Sequence, residues 1–135
     1  MTLEQKELLL KDLCARLPYG VKVKLGDNPN IFDLQYRIKF AIMYGGSDKL
    51  EDILDITNIK PYLFPMSNIT DEDYATYCKI WEDTGKMAYF EGCHHLIITI
   101  KAYKAGNDYL LSKHYDINGL IPMGLANDAT GLNIY

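Results

Sequence analysis

The chain has 135 residues, of which 48% are hydrophobic and 24% charged, with a formal net charge of −4. Ordinary composition excludes long disorder, the acidic balance gives no general attraction to nucleic acid or anionic membrane, and the length suits one domain (1–135) with a core of its own. Cys14, Cys78 and Cys93 are odd in number, widely spaced and free of any Cys-x-x-Cys pair, which excludes a secreted disulfide framework and points to a reducing cytoplasm.

Thr2 and Gln5 fit a capping box, and Leu9, Leu10, Leu13, Cys14 and Leu17 share one side of a 3.6-residue period. The spacing predicts a helix ended by Pro18, with Cys14 as a small buried hydrophobe. Lys6, Glu7, Lys11 and Asp12 break up its leucines, and no stretch reaches the ~18 apolar residues of a membrane span, so neither an export signal nor membrane insertion is expected.

Val21, Val23 and Leu25 alternate with Lys22 and Lys24, predicting a half-buried strand that turns at Gly26-Asp27-Asn28-Pro29-Asn30. Phe32, Leu34, Tyr36, Ile38, Phe40, Ile42 and Tyr44 share one parity, which reads as a long strand, or two strands at a bulge, with Asp33, Gln35, Arg37, Lys39 and Ala41 on its wet face. Leu50–Ile56 fits either helix or strand, and a third strand there completes a stable sheet for the first helix to cover.

Lys60 to Asp71 divides the chain. Pro61 and Pro65 forbid a regular helix and hold the segment extended, a strap between a helix-plus-sheet half (1–59) and a mainly helical half (71–135). Ser67 and Thr70 are candidate caps, and Asp71, Glu72 and Asp73 suit the positive end of a helix beginning near Thr70. Tyr74, Tyr77, Cys78 and Trp81 form an aromatic stripe on that helix, predicted to pack on the sheet or strap and to stop at Gly85. The β-branched run in His95–Lys101 predicts a strand, a helix follows from Ala102 with Gly106 in its middle, and Leu120–Ala126 is expected against the core.

Lys60-Pro61-Tyr62-Leu63-Phe64-Pro65-Met66-Ser67, His114-Tyr115-Asp116-Ile117-Asn118-Gly119-Leu120-Ile121, which carries an Asp-x-x-Gly-Leu-Ile pattern, and the opening Leu17-Pro18-Tyr19-Gly20-Val21 resemble a family of short uncharacterised proteins of anaerobic gut bacteria and their prophages. In that family the C-terminal pattern typically reads His-Phe-Asp-Tyr-Arg-Gly-Leu-Ile; here Tyr115, Ile117 and Asn118 replace the phenylalanine, tyrosine and arginine. The resemblance implies a mobile-element setting and brings no activity, ligand or catalytic residue with it.

Cys93-His94-His95 is the densest cluster of reactive side chains. In a strand Cys93 and His95 would share a face, and Cys78 or His114 would have to complete a metal site or a cysteine active site. The spacing matches no compact zinc pattern, so ordinary strand-end residues are favoured and no cofactor or metal is expected. His114 suits a helix C-terminus and Asp116 a turn. Lys22, Lys24, Arg37 and Lys39 fall on the predicted wet face of the sheet, a candidate nucleic-acid stripe set against a solvated face. The sequence thus predicts an α+β fold: an N-terminal helix, a small antiparallel, SH3-like sheet, then helices. With eleven tyrosines available for interfaces, a non-enzymatic protein-interaction module is favoured. Nucleic-acid binding through the four basic residues is the first alternative, and a metal or cysteine enzyme at Cys93 and His95 the second.

Overall fold

Helix α1 (Leu3–Arg16) begins where Thr2 and Gln5 exchange side-chain and backbone hydrogen bonds at 3.1 and 2.9 Å. Its inward face carries Leu9 and Leu13 and, on the same turns, the buried pair Asp12 and Arg16. Cys14 is exposed, so the apolar spacing extends one position past the buried face. The computed structural model describes residues 1–44 and 55–135.

After a short turn at Leu17–Tyr19, β1 (Lys22–Leu25) pairs antiparallel with β2 (Ile31–Asp33) on one side and β3 (Ile59–Leu63) on the other. β4 (Asn127–Asp128) joins β3 in parallel, giving a four-stranded mixed sheet in the order β2-β1-β3-β4. The third strand is therefore the first half of the proline strap itself. Most of Leu50–Ile56, where a strand was expected, lies outside the described residues; Ile56–Asn58 forms a single 3-10 turn capped by Asp55.

Pro61 occupies an interior strand, where a missing donor would ordinarily break the ladder. Gly26 N–H donates to Asn58 C=O, so the even-numbered residues of β3 carry the bonds toward β1, and β4 pairs only with Tyr62 and Leu63. Among the described residues no strand faces the proline nitrogen. Val23, Ile59, Pro61 and Leu63 turn to one face and close over Leu9, Leu13, Leu34, Leu120 and Leu125, so α1 covers the sheet.

The long strand expected over Phe32–Tyr44 is instead β2 followed by helix α2 (Leu34–Tyr44). Two bonds make the switch: Leu34 N–H still donates to Val21 C=O, while Asp33 Oδ1 accepts from Tyr36 N–H as a helix cap. Leu34 and Ile38, four apart, pack into or against the core, and Tyr36, Phe40 and Ile42 are left exposed. Alternation and helical spacing coincide at those two inward positions.

Thr70 caps helix α3 (Asp71–Phe90), its Oγ1 accepting from Asp73 N–H at 3.0 Å. α3 runs through Gly85 to Phe90 and turns back as α4 (His95–Ser112). The strand expected over His95–Lys101 is thus the first half of a helix, because Ile98 meets Gly85 and buried Ala102 continues the same inward row. At Gly106 the helices approach so closely that a Cβ would lie 2.5 Å from Trp81 Nε1. The aromatic stripe therefore packs on α4, with Tyr77, Trp81 and Tyr103 in successive edge contacts at 6.4 and 6.3 Å.

Candidate functional site

The strap and the C-terminal motif are stitched together by backbone. Phe64 N–H donates to His114 C=O and Asp116 N–H to Phe64 C=O, at 2.9 and 2.8 Å. The Asp116 carboxylate then accepts from Leu120 and Ile121 N–H, which shapes the Gly119 turn and seats Leu120 in the core. From α1, Arg16 donates to Asp12 and to Tyr115 C=O, and Asn118 Nδ2 donates to Asp12 Oδ1. From α3, Asp73 accepts from the phenols of Tyr109 and Tyr115 at 2.9 and 2.6 Å. The Tyr115 bond does most to hold the Asp73 carboxyl below its ordinary range, whereas burial does most to push the Tyr109 and Tyr115 phenols up.

A cleft of about 540 Å³ opens beside this network, between the strap, the end of α4 and the C-terminal segment. Tyr135 forms one wall. Its hydroxyl accepts from Lys22 N–H at 2.8 Å and donates to Tyr62 C=O at 2.7 Å, standing where the next ladder bond between β1 and β3 would form. Burial pushes that phenol up to about 12. Its ring stacks on His114 at 3.6 Å. His114 has φ 65°, is 9% exposed, and is held down to about 4 by burial first and then by Arg16, Lys22 and Lys113.

A neutral imidazole at pH 7 suits a proton acceptor, but among the described residues no nucleophile is hydrogen-bonded to it. Ser112 Oγ donates to Tyr109 C=O, and Asp73 is occupied by two phenols. Asp73, Tyr115 and the Phe64 backbone hold the strap and α3 to the C-terminal motif, while His114 Nδ1 is buried without a hydrogen-bond partner.

The residues singled out as a metal or cysteine site are dispersed. Cys93 lies in the α3–α4 turn, with Lys101 Nζ 3.9 Å from its Sγ. His94 caps α4 through Nδ1, and His95 is exposed at the first helical position, so Cys93 and His95 share no strand face. His114 follows the other end of α4, roughly 27 Å away along an 18-residue helix. Among the described residues no three His, Cys, Asp or Glu side chains are placed to share a metal ion.

The basic stripe is also divided. Lys22 and Lys24 lie on β1, and Lys22 Nζ reaches Asp33 at 3.5 Å. Arg37 and Lys39 lie on α2, with the Arg37 guanidinium over the rings of Phe32 and Phe40 at 5.5 and 6.0 Å. The four do not form one face.

Among the described residues, the helical hairpin carries many of the exposed large apolar side chains. Tyr74, Leu96, Ile100 and Tyr103 are 58%, 64%, 57% and 57% exposed. Leu96, Ile100 and Tyr103 follow a four-three spacing on α4, as Tyr74, Cys78 and Trp81 do on α3, and the Trp81–Tyr103 contact places both rows on one flank. Tyr89, Phe90, Met87 and Ile97 extend apolar exposure around the tip. A helix pair that is apolar on more than its inner face has more to bury than its own partner helix covers. The strand expected over His95–Lys101 hid this flank, although the Leu96, Ile100, Tyr103 spacing was the signal for it.

Among the described residues no helix is long and apolar enough to cross a membrane. Compared with protein-family models, curated proteins and solved structures, the chain matches none.

Proposed function

We propose that the chain is a non-enzymatic protein-interaction module that receives an amphipathic helical partner along the α3–α4 flank. The observation that carries this reading is the exposed four-three row of Leu96, Ile100 and Tyr103, with Tyr74 also exposed on the neighbouring helix. Such a row seats the side chains of another helix between its own, as in helical bundles. At roughly 200 Å² per fully exposed large side chain, these four present on the order of 400–500 Å², about half of the ~800 Å² that each partner buries in an ordinary stable interface, and the apolar residues around the tip extend it. The resemblance of the strap and C-terminal motif to short prophage-associated proteins supports an accessory role in a mobile element, within the cytoplasm that the cysteine usage suggests.

The test is affinity capture from host lysate with nuclease present, comparing the unaltered chain with Ile100→Glu on the flank and Tyr36→Glu on exposed α2. A stoichiometric protein retained by Tyr36→Glu and lost by Ile100→Glu is the expected result. Capture that ends with nuclease treatment, or that Ile100→Glu leaves intact, would sink the reading.

A further inference from the structure

The sheet register sets Lys24 of β1 directly opposite Lys60 of β3. Val23, Ile59 and Pro61 fill the covered face, so both lysines leave from the other one, side by side. Like charges in that position oppose strand pairing unless something between them is negative. Lys22, on the same face, has Asp33, but among the described residues no carboxylate pairs with Lys24 or Lys60.

A third group points to what is missing. β4 pairs Asn127 with Tyr62, which leaves β3 on the same side as Lys60, and the Asn127 Nδ2 is buried without an acceptor. A buried amide donor left unpaired is costly and rare in a native fold. Lys24, Lys60 and Asn127 together line a recess of about 280 Å³ beside the Gly26 turn. Lys24 and Lys60 bring two ammonium groups to this recess, and Asn127 brings an amide whose Nδ2 donor has no partner.

We propose that this recess binds an oxyanion, the phosphate group of a small molecule. Its oxygens would accept from both ammonium groups and the amide, removing the repulsion across the β1–β3 ladder and supplying the acceptor that Asn127 lacks. Asp27 is the one carboxylate lining the recess, and it opposes the anion. A small ligand is favoured over a nucleic-acid backbone because the chain is acidic overall and, among the described residues, the neighbouring Lys22 is engaged by Asp33 while Arg37 and Lys39 lie on another element. The inference stands independently of docking on the hairpin.

The experiment is an amide-resolved NMR titration of the full chain with inorganic phosphate, with chloride adjusted to keep ionic strength constant. Saturable shifts centred on Lys24, Gly26, Lys60 and Asn127 are expected, with affinity falling about tenfold or more in Lys60→Gln and rising severalfold in Asp27→Asn. Lys60→Gln removes a repulsion, so without phosphate at low salt it should melt no lower than the unaltered chain, which separates lost binding from lost folding. Equal shifts with chloride alone, or unchanged affinity in Lys60→Gln, would overturn the site. A phosphomonoester and a single-stranded oligonucleotide distinguish the source. Tighter, steeply salt-dependent binding of the oligonucleotide would overturn the small-molecule assignment, and comparable or weaker binding supports it.

Discussion

Gly85 and Gly106 face the same helix–helix seam, yet alanine at the two should act with opposite sign. At Gly106 the added Cβ would lie 2.5 Å from Trp81 Nε1, 2.7 Å from Tyr77 Cε2 and 2.9 Å from Trp81 Cδ1. Ordinary carbon contacts begin near ~3.5 Å, so both rings must retreat by about 1 Å. Overpacking of that kind costs about 1–3 kcal/mol, while exchanging glycine for alanine inside a helix returns about 1 kcal/mol. Displacing two aromatic rings belongs in the upper part of that range, so Gly106→Ala should lose about 1–2 kcal/mol. For a chain this long that is a fall in melting temperature of roughly 4–8 °C. At Gly85 the new Cβ would sit 3.7 Å from Ile98 Cγ2, an ordinary contact. Helix propensity then acts alone, and Gly85→Ala should gain about 0.5–1 kcal/mol. Urea unfolding with calorimetry reads both. Stabilisation by both alanines would mean that α3 and α4 do not meet as closely as the Trp81–Gly106 contact requires.

Three further outcomes follow from the buried polar network. Arg16→Met strands the Asp12 carboxylate in the core and should cost about 3–5 kcal/mol by denaturant unfolding, much of it regained when Asp12→Leu is added; a double variant no better than the single one would show that the pair is not the cause. His114 is held near 4 against an ordinary 6.5, so the unfolded chain takes up its proton first. Stability from this group is complete above pH 6.5 and is lost as pH falls from 6.5 to 4, by up to about 3 kcal/mol. Urea unfolding at pH 7 and 4.5 should show the loss, and His114→Asn, which tolerates the positive φ, should flatten it; an equal slope in that variant would assign the effect elsewhere. Tyr135→Phe removes the hydroxyl between Lys22 N–H and Tyr62 C=O. Faster hydrogen exchange at Lys22 and a loss of about 1–2 kcal/mol are expected, and unchanged exchange would mean that the strands close the gap themselves.

The parts legible in the sequence are those governed by contacts between near neighbours. The Thr2–Gln5 capping box, the Thr70 cap and the extended strap all stand as their local chemistry requires. At Phe32–Tyr44 the pattern carried two periods at once. Leu34 and Ile38 satisfy both alternation and a helical turn, and the Asp33 cap selected the helix. The β-branched residues of His95–Lys101 failed for a nonlocal reason, since Ile98 has a helical neighbour at Gly85 that only the folded hairpin supplies. β4 is two residues long and left no pattern to find. The basic site shows the same limit. Lys24 was visible as a wet-face lysine, but Lys60 becomes its partner only through pairing across 36 residues, and so the stripe was completed with Arg37 and Lys39.

Where polar groups are already satisfied, their removal tests stability; where they are not, their position tests function. Asp12, Asp73, Asp116 and Asn118 lie in the first class, as Arg16 does through Nε and Nη2 though not through its buried Nη1, because each bonds the strap, the C-terminal motif or the helix beside them. The motif residues that stand out in the sequence are thus explained by fastening Phe64 to Tyr115 and Leu120 to the core. Lys24, Lys60 and Asn127 lie in the second class, as does the flank of Leu96, Ile100 and Tyr103. The two differ in what they ask of a ligand. Two ammonium groups beside an unpaired amide call for compact negative charge and respond to salt, whereas the flank calls for apolar area and does not. A partner whose salt dependence falls in Lys60→Gln would therefore have engaged the sheet as well. Ile100→Glu and Lys60→Gln, measured singly and together, separate those contributions.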